Sequence, residues 1–285
     1  LLNRGVLDTG LIAAEGYDYE IIEKMYRPHD NLSLLATLKA DGTVGKTVVG
    51  SIVESLILDS ADPQEYGRLK EIFRAPSLQM ASFTITEKGY SLTSAKGETP
   101  SDIAYDFTHG PEAPRSYLGK VSSLVYERYL AGALPLSLVS MDNCSHNGDK
   151  LYAAVNAFAE AWQQNGLVQD GFVSYINDKK KIAFPWTMID KITPRPDDTV
   201  KAMLEQDGIS DLAACVTVKN TYVAPFVNAE ECQYLVIEDA FPNGKLPLEQ
   251  AGILYTDRAT VDKVEKMKVC TCLNPLHTTL AIYGC

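Results

Sequence analysis

The chain is 285 residues long, 46% apolar and 22% charged, ordinary values for a globular protein large enough to bury a core. A net charge of −11 argues against a nucleic-acid partner or an anionic membrane surface, because both require a concentrated positive surface. No apolar run approaches the roughly 18 residues that span a bilayer and no secretory leader is recognisable. Six scattered cysteines (Cys144, Cys215, Cys232, Cys270, Cys272 and Cys285) lack the spacing of a disulfide framework, so reduced thiols in a cytoplasmic protein are expected.

In chain order, residues 1–5 read as the tail of a helix with its glycine cap, and there is no initiator Met. The apolar residues 10–14, closed by Glu15-Gly16, predict the first strand. A polar helix is expected over 18–26, stopping before Pro28, which disfavours helical geometry in the residue ahead of it. Two apolar runs flank Asp41-Gly42, a hairpin signal. Residues 63–73 predict a helix and 78–86 an apolar strand. After a loop rich in glycine, proline and acid come a well-patterned helix at 117–130, a buried strand at 136–141 and a long amphipathic helix at 148–165. Lys179-Lys180-Lys181 reads as a solvated loop. Further strands are expected at 222–227 and 233–237, and a helical pattern runs from Ala259 onward. Its end, "HTTLAIYGC", reads as an apolar helix cut in mid-pattern, so the sequence is expected to be an internal piece of a longer chain.

Strands alternating with helices predict an α/β fold with a mainly parallel sheet and right-handed crossovers, followed by the start of a second domain. In open parallel sheets, ligands bind beyond the carboxyl ends of the strands. Three such ends carry polar clusters: Glu15, the stretch 84–90 containing Thr86 and Glu87, and Asp142-Asn143. No G-x-G-x-x-G occurs, and if residues 1–5 end the first crossover helix, that fingerprint lies upstream of residue 1. Glu15 then either accepts the hydroxyls of an adenosine ribose or merely caps a strand end.

The segment 265–277, "EKMKVCTCLNPLH", gathers polar chemistry into a short span. Cys270, Cys272 and His277 are zinc-ligand types, but C-x-C on a helix points its thiols about 200° apart. No metal is expected, and packing as small buried hydrophobes is the better reading of these cysteines. Lys268, between Met267 and Val269-Cys270, is either a desolvated general acid/base with a lowered pKa or a snorkelling lysine. Pro275 predicts a helix break with Asn274 as N-cap and His277 in the first turn of a new helix. Only such a break would let Lys268, Asn274 and His277 face one cavity, because on one continuous helix Lys268 and His277 lie about half a turn apart.

Five motifs in order, "TITEKGY", "SMDNCSHNG", "FPWTMIDKITP", "VIEDAFPNGKLPLEQAG" and "MKVCTCLNPLH", make the chain similar over its whole length to the polyol-specific long-chain dehydrogenases. That family includes mannitol 2-dehydrogenase, fructuronate reductase and tagaturonate reductase. The resemblance implies a Rossmann-type dinucleotide-binding domain over 1–232 and the start of a mostly helical C-terminal domain over 233–285. It implies NAD, with NADP less favoured, no metal, and a small sugar acid or polyol as substrate. It puts the catalytic lysine on Lys268, the acid gating proton exit on Glu265 and the oxygen-polarising amides on Asn143 and Asn274. The substrate-orienting histidine falls on His277 and the motif aspartate on Asp190, followed by Lys191 where Arg is usual. Thr86 and Glu87 are the expected cofactor-side residues of their strand end. Most members carry one residue fewer between the lysine and the asparagine than the five found here, Val269 to Leu273. Arg195 supplies a planar guanidinium suited to a substrate carboxylate, or pairs on the surface with Asp197 or Asp198. The expected activity is reduction of fructuronate to mannonate by a monomer or small homo-oligomer. A mannitol-type polyol dehydrogenase and a non-catalytic nucleotide-binding protein are the rival readings.

Overall fold

A computed structural model describes residues 1–284. In chain order it runs through β1 (Leu11–Glu15), β2 (Ser33–Leu38), β3 (Val44–Val49), β4 (Ile52–Ile57), α1 (Pro63–Arg74), β5 (Met80–Phe83), α2 (Thr86–Gly89) and α3 (Ser101–His109). It continues with α4 (Tyr117–Leu130), β6 (Leu136–Ser140), α5 (Asn147–Gln164), α6 (Phe172–Asn177), β7 (Ile182–Ala183) and β8 (Thr187–Asp190). The last part comprises α7 (Asp198–Gln206), β9 (Cys215–Val216), β10 (Tyr222–Val223), β11 (Phe226–Glu230), β12 (Tyr234–Glu238), β13 (Leu254–Thr256), α8 (Arg258–Glu265) and α9 (Asn274–Tyr283). These elements pack into two units: Leu1–Leu69 with Lys191–Gln233, and Lys70–Asp190 with Tyr234–Cys285. Cys285, one of the six thiols, lies outside the described residues.

In the first unit β1 pairs in parallel with β4, and β2 is flanked by β3 antiparallel and β11 parallel. The hairpin forms around Asp41-Gly42 as its sequence predicts; Gly42 adopts φ 83°, a left-handed conformation open to glycine. One face of β2 buries Leu34 and Ala36 against Phe226 of β11 and Val200 and Leu204 of α7. Asp197 starts α7 by accepting from the amides of Thr199 and Val200. The expected helix over 18–26 is a π-helical turn, Ile22–Tyr26, running into a 3-10 turn that holds Pro28. At the amino end, Gly5 closes a 3-10 turn at φ 65°, the glycine cap that its sequence predicts.

In the second unit β6 is the central strand, parallel to β5 on one side and β7 on the other. All five of its residues are buried, as a strand covered on both faces must be. The inward faces of α4 and α5 lie in this core, with Val125, Val155, Phe158 and Trp162 essentially inaccessible. The fully buried guanidinium of Arg128 donates to the carbonyls of Phe73, Ala75, Leu78, Leu134 and Pro135 at 2.7–3.2 Å. A second sheet joins β12 to β8 antiparallel and to β13 parallel, and packs Met188 and Val236 on Val261 of α8.

The end of the chain departs from the expected break. Residues Lys266–Leu273 form a π-helix that passes directly into α9, and Asn274 has the helical dihedrals φ −63° and ψ −44° rather than those of a cap. A wider turn relieves the clash between a proline ring and the carbonyl four residues back, so Pro275 is carried without a break. Cys270 and Cys272 are exposed on this stretch, which corrects their assignment as packing residues. Lys268 is exposed as well, not desolvated.

Candidate active site

The polar residues of the second unit converge where β6 ends. Beyond Ser140 the chain turns through residues 141–146 before α5 starts, with Asn143 exposed in that turn. Asn147 is buried and fastens the turn: its Nδ2 donates to Thr187 Oγ1 (2.8 Å), the Asp142 carbonyl (3.0 Å) and the Thr187 carbonyl (3.2 Å). Its Oδ1 accepts from the Thr187 amide at 3.0 Å, so the tip of β6 is stitched to the start of β8. Gly148 comes next because α5 runs against the backbone here; a Cβ would meet the Phe184 carbonyl at 2.5 Å and the Pro185 carbonyl at 2.8 Å.

The loop after β5 is fastened to the same turn. The Asp142 carboxylate accepts from the amides of Ile85 and Thr86, each at 2.9 Å, and from the Tyr90 hydroxyl at 2.5 Å. Burial, then the neighbouring carboxylate, pushes the Tyr90 phenol far above its ordinary range, so it remains a donor. Thr86 sits at φ 62°, and Glu87 is exposed and paired with Lys150 at 2.6 Å.

Next to this turn stands α8. Its last residue, Glu265, is buried and its Oε2 accepts from the His146 amide at 3.4 Å. His146 stacks its imidazole on Trp186 with ring centres 4.1 Å apart, and its Nε2 lies 3.3 Å from Asp262. The hydrogen bond from Lys266 holds Asp262 below the usual carboxylate range and raises the lysine in return. Burial pushes the Cys144 thiol in the same turn upward, keeping it protonated.

Lys268 lies one turn farther on, its ammonium 3.4 Å from the centre of the Tyr234 ring, a cation–π contact. Tyr234 faces Asp190 across the β12–β8 ladder, and its hydroxyl is buried without a hydrogen-bond partner. Burial and then the Asp190 charge raise that phenol. Lys268 and Asp190 are thus brought to one corner of the sheet, and Glu265 to the turn that carries Asn143. Asn274 and His277 extend along α9 with exposed side chains, and with the helix unbroken the structure does not bring them to one cavity with Lys268 as the expected break would have done. Among the described residues, no three His, Cys, Asp or Glu side chains are grouped as a metal ion would require.

Three expected residues belong to the first unit. Glu15 ends β1, and its Oε1 accepts from the amides of Tyr17 (2.7 Å) and Asp18 (3.0 Å), the capping arrangement. Lys191 donates to the Glu230 carbonyl at 2.8 Å. Arg195 lies over the Tyr222 ring at 5.5 Å, while Asp197 is engaged at the start of α7. Sequence reasoning placed Asp142 at a polar strand end but gave it no role, and it missed His146, Asn147, Trp186, Thr187 and Tyr234. The available signal was a polar-glycine pair, Asn147-Gly148, at a helix start shortly after a strand buried along its whole length.

Comparison with known proteins agrees with this architecture. The Mannitol dehydrogenase Rossmann domain family matches residues 9–250. The D-mannonate oxidoreductase of Thermotoga maritima is 50% identical over 287 aligned positions, covering 100% of this chain and 53% of that protein. Among solved structures, a substrate-free D-sorbitol dehydrogenase superposes with a TM-score of 0.78 at 25% identity, over 96% of this chain and 52% of that one. Mannitol 2-dehydrogenase of Pseudomonas fluorescens, in a ternary complex with NAD and D-mannitol, gives 0.72 at 25% identity, over 98% of this chain and 59% of that one. The chain spans about half the length of the curated relatives it matches. It belongs to the mannitol dehydrogenase family, and its α/β fold is that family's Rossmann domain.

Proposed function

We propose that the protein is an NAD-dependent oxidoreductase that reduces the keto group of a hexuronate, converting fructuronate to D-mannonate. The observation that carries this reading is the 50% identity, across the whole chain, to a D-mannonate oxidoreductase. The domain division at 232/233, a cytoplasmic location and a monomeric or small homo-oligomeric state belong to the same proposal. No helix among the described residues is long and apolar enough to cross a membrane.

The residues present fit a dinucleotide. Glu15 closes a parallel strand with one carboxylate oxygen engaged by two amides, which leaves Oε2 to accept a ribose hydroxyl. A carboxylate there repels the 2′-phosphate of NADP, which favours NAD. Thr86 and Glu87, just beyond the end of β5, are assigned to the cofactor as well. When bound, NADH supplies the hydride that goes to the carbonyl carbon. Lys268, as its ammonium, gives the proton to the oxygen, so that C=O becomes CH–OH and a neutral amine remains. Asn143 and Asn274 donate to that oxygen as its charge grows, and His277 orients the substrate. Glu265 stands between the Asn143 turn and the lysine's helix, where a carboxylate passes protons to and from solvent. Asp190 and Lys191 bind substrate hydroxyls, and Arg195 binds the uronate carboxylate in two parallel charge-assisted bonds.

The test is the complete gene product assayed with NADH and NADPH against fructuronate, tagaturonate and fructose. Fructuronate with NADH is expected to give the highest kcat/KM. Lys268→Ala is expected to lower kcat by about two to four orders of magnitude while leaving NADH affinity nearly unchanged. Faster reduction of fructose than of either uronate would overturn the substrate class, and near-normal turnover of the lysine variant would overturn the mechanism.

A further inference from the structure

We propose that Asp142 is a positioning residue: it holds the loop after β5 in a left-handed turn and thereby sets Asn143, its neighbour, for catalysis. The inference rests on the proposed role of Asn143, and the structural part of it does not.

Ile85 and Thr86 have backbone dihedrals of opposite hand, φ −123° and φ 62°. Successive residues of that kind turn consecutive amides toward one point and make a small anion-binding nest. At the carboxyl end of a parallel strand such a nest would ordinarily take a ligand anion. Here it is filled from within: Asp142 accepts from both amides at 2.9 Å, one on each oxygen, and takes the Tyr90 hydroxyl as a third donor. Tyr90 is further tied to Ser140 Oγ at 2.7 Å, so the hydroxyl is anchored at the strand end itself.

Thr86 is the telling residue. A β-branched side chain at positive φ is a genuine outlier, and it persists only where its surroundings hold it there. The carboxylate that holds it belongs to the residue before Asn143, whose own carbonyl is gripped by Asn147 at 3.0 Å and by the Cys144 amide at 2.8 Å. Any relaxation of Thr86 toward negative φ must therefore pull on the short segment that presents Asn143. The interior carboxylate also takes up the Thr86 amide, which leaves only that residue's side chain for the cofactor.

The experiment is a double-substitution cycle in the complete gene product, with D142N, T86G and the pair together, read by NADH-dependent kcat/KM and by amide exchange over residues 84–90. An amide at position 142 can face only one side of the nest with an acceptor. D142N is expected to speed exchange in that loop tenfold or more and to lower kcat/KM tenfold or more. In the T86G background, where glycine needs no holding, the same substitution is expected to cost less than threefold. Equal losses in both backgrounds would reduce Asp142 to a purely structural residue and overturn the proposal, as would a loosened loop with undiminished turnover. Should D142N not fold, Y90F removes one of the three bonds and is expected to give the same pattern at about threefold; no change in loop exchange would then refute it. A wild type that reduces no ketose with NADH shows instead that the underlying reading has failed, before any variant is made.

Discussion

Asn147 lends itself to a worked prediction, because its two side-chain ends do different jobs. Truncation by N147A strands the buried Thr187 amide, whose acceptor is Asn147 Oδ1. The other partners keep alternatives: Thr187 Oγ1 still donates to the Ser140 carbonyl at 2.7 Å, and the Asp142 carbonyl still receives the Cys144 amide. One stranded buried donor costs about 1–3 kcal/mol, and the small void adds to it, so about 3 kcal/mol is expected. N147D keeps an acceptor for the Thr187 amide, yet it puts an oxygen where Nδ2 now points at three carbonyls and a hydroxyl within 2.8–3.4 Å. A buried charge among acceptors costs more than the void, so N147D is expected to lie below N147A at pH 7.5 despite being isosteric. The pH dependence fixes the sign. The introduced carboxyl has its folded pKa raised above the unfolded value of about 3.9, so the folded state binds more protons through that window. Stability is therefore retained below about pH 4 and lost as pH rises, by about 1.4 kcal/mol per unit until the folded pKa is passed. Urea unfolding of both variants and the wild type at pH 4.5, 6 and 7.5 measures this. If N147D matches N147A at pH 7.5, or if the gap fails to widen with pH, the hydrogen-bond assignment is wrong.

Three further expectations can be checked alongside it. Replacing Arg128 by methionine keeps volume but leaves the Phe73 and Pro135 carbonyls without their donor, an expected loss of about 3 kcal/mol in urea unfolding; a change under about 1 kcal/mol would show that water replaces the guanidinium freely. Glu15→Ala is expected to narrow a preference for NADH over NADPH in fluorescence titrations, whereas an unchanged ratio would leave Glu15 as a strand-end cap only. Burial raises the Asp18 carboxyl, but hydrogen bonds led by the Thr217 and Thr221 hydroxyls outweigh it and hold the group below its ordinary value of 3.8. Its contribution is thus present above that value and lost as pH falls through the lowered folded one, so acid unfolding of D18N should show a shallower pH dependence there; an unchanged acid limb would contradict this.

Elements whose pattern is local were legible. α4 spans Tyr117–Leu130 as its periodicity predicts, and β6 and α5 fall within a residue of expectation, because a continuous apolar run and a helical stripe each have one economical burial. β4 was missed: "IVESLI" does not alternate cleanly, and it becomes a strand by pairing with β1 some 40 residues upstream. α3, "SDIAYDFTH", hides in a polar stretch and is fixed by tertiary contacts, among them Asp106, whose carboxylate accepts from Arg115 and Ser116. In the site the same contrast holds. Lys268 and the Asp142-Asn143 strand end stood out in the sequence, and the family resemblance put roles on Asn143 and Glu265, whereas Asn147 and Trp186 matter through partners brought in by the fold.

The segment 266–283 shows how a misread local rule can still leave the larger reading standing. A proline after Asn274 argued for a cap and a break, which would have changed the direction of the chain between Lys268 and His277. The structure keeps a helical path and widens it instead. A π-turn closes its hydrogen bond one residue later than an α-turn, so it takes in an added residue without rotating the rest of the helix. In an α-helix that residue would turn everything beyond it by about 100°. Five residues separate Lys268 from Asn274 here, one more than the family pattern. The widened stretch, Lys266–Leu273, contains all five of them, with Thr271 Oγ1 bonded to the carbonyl of Lys266 five residues back. The widened geometry that carries Pro275 is also of the kind that takes in an added residue without turning the rest of the helix, and the five residues between Lys268 and Asn274 lie within it.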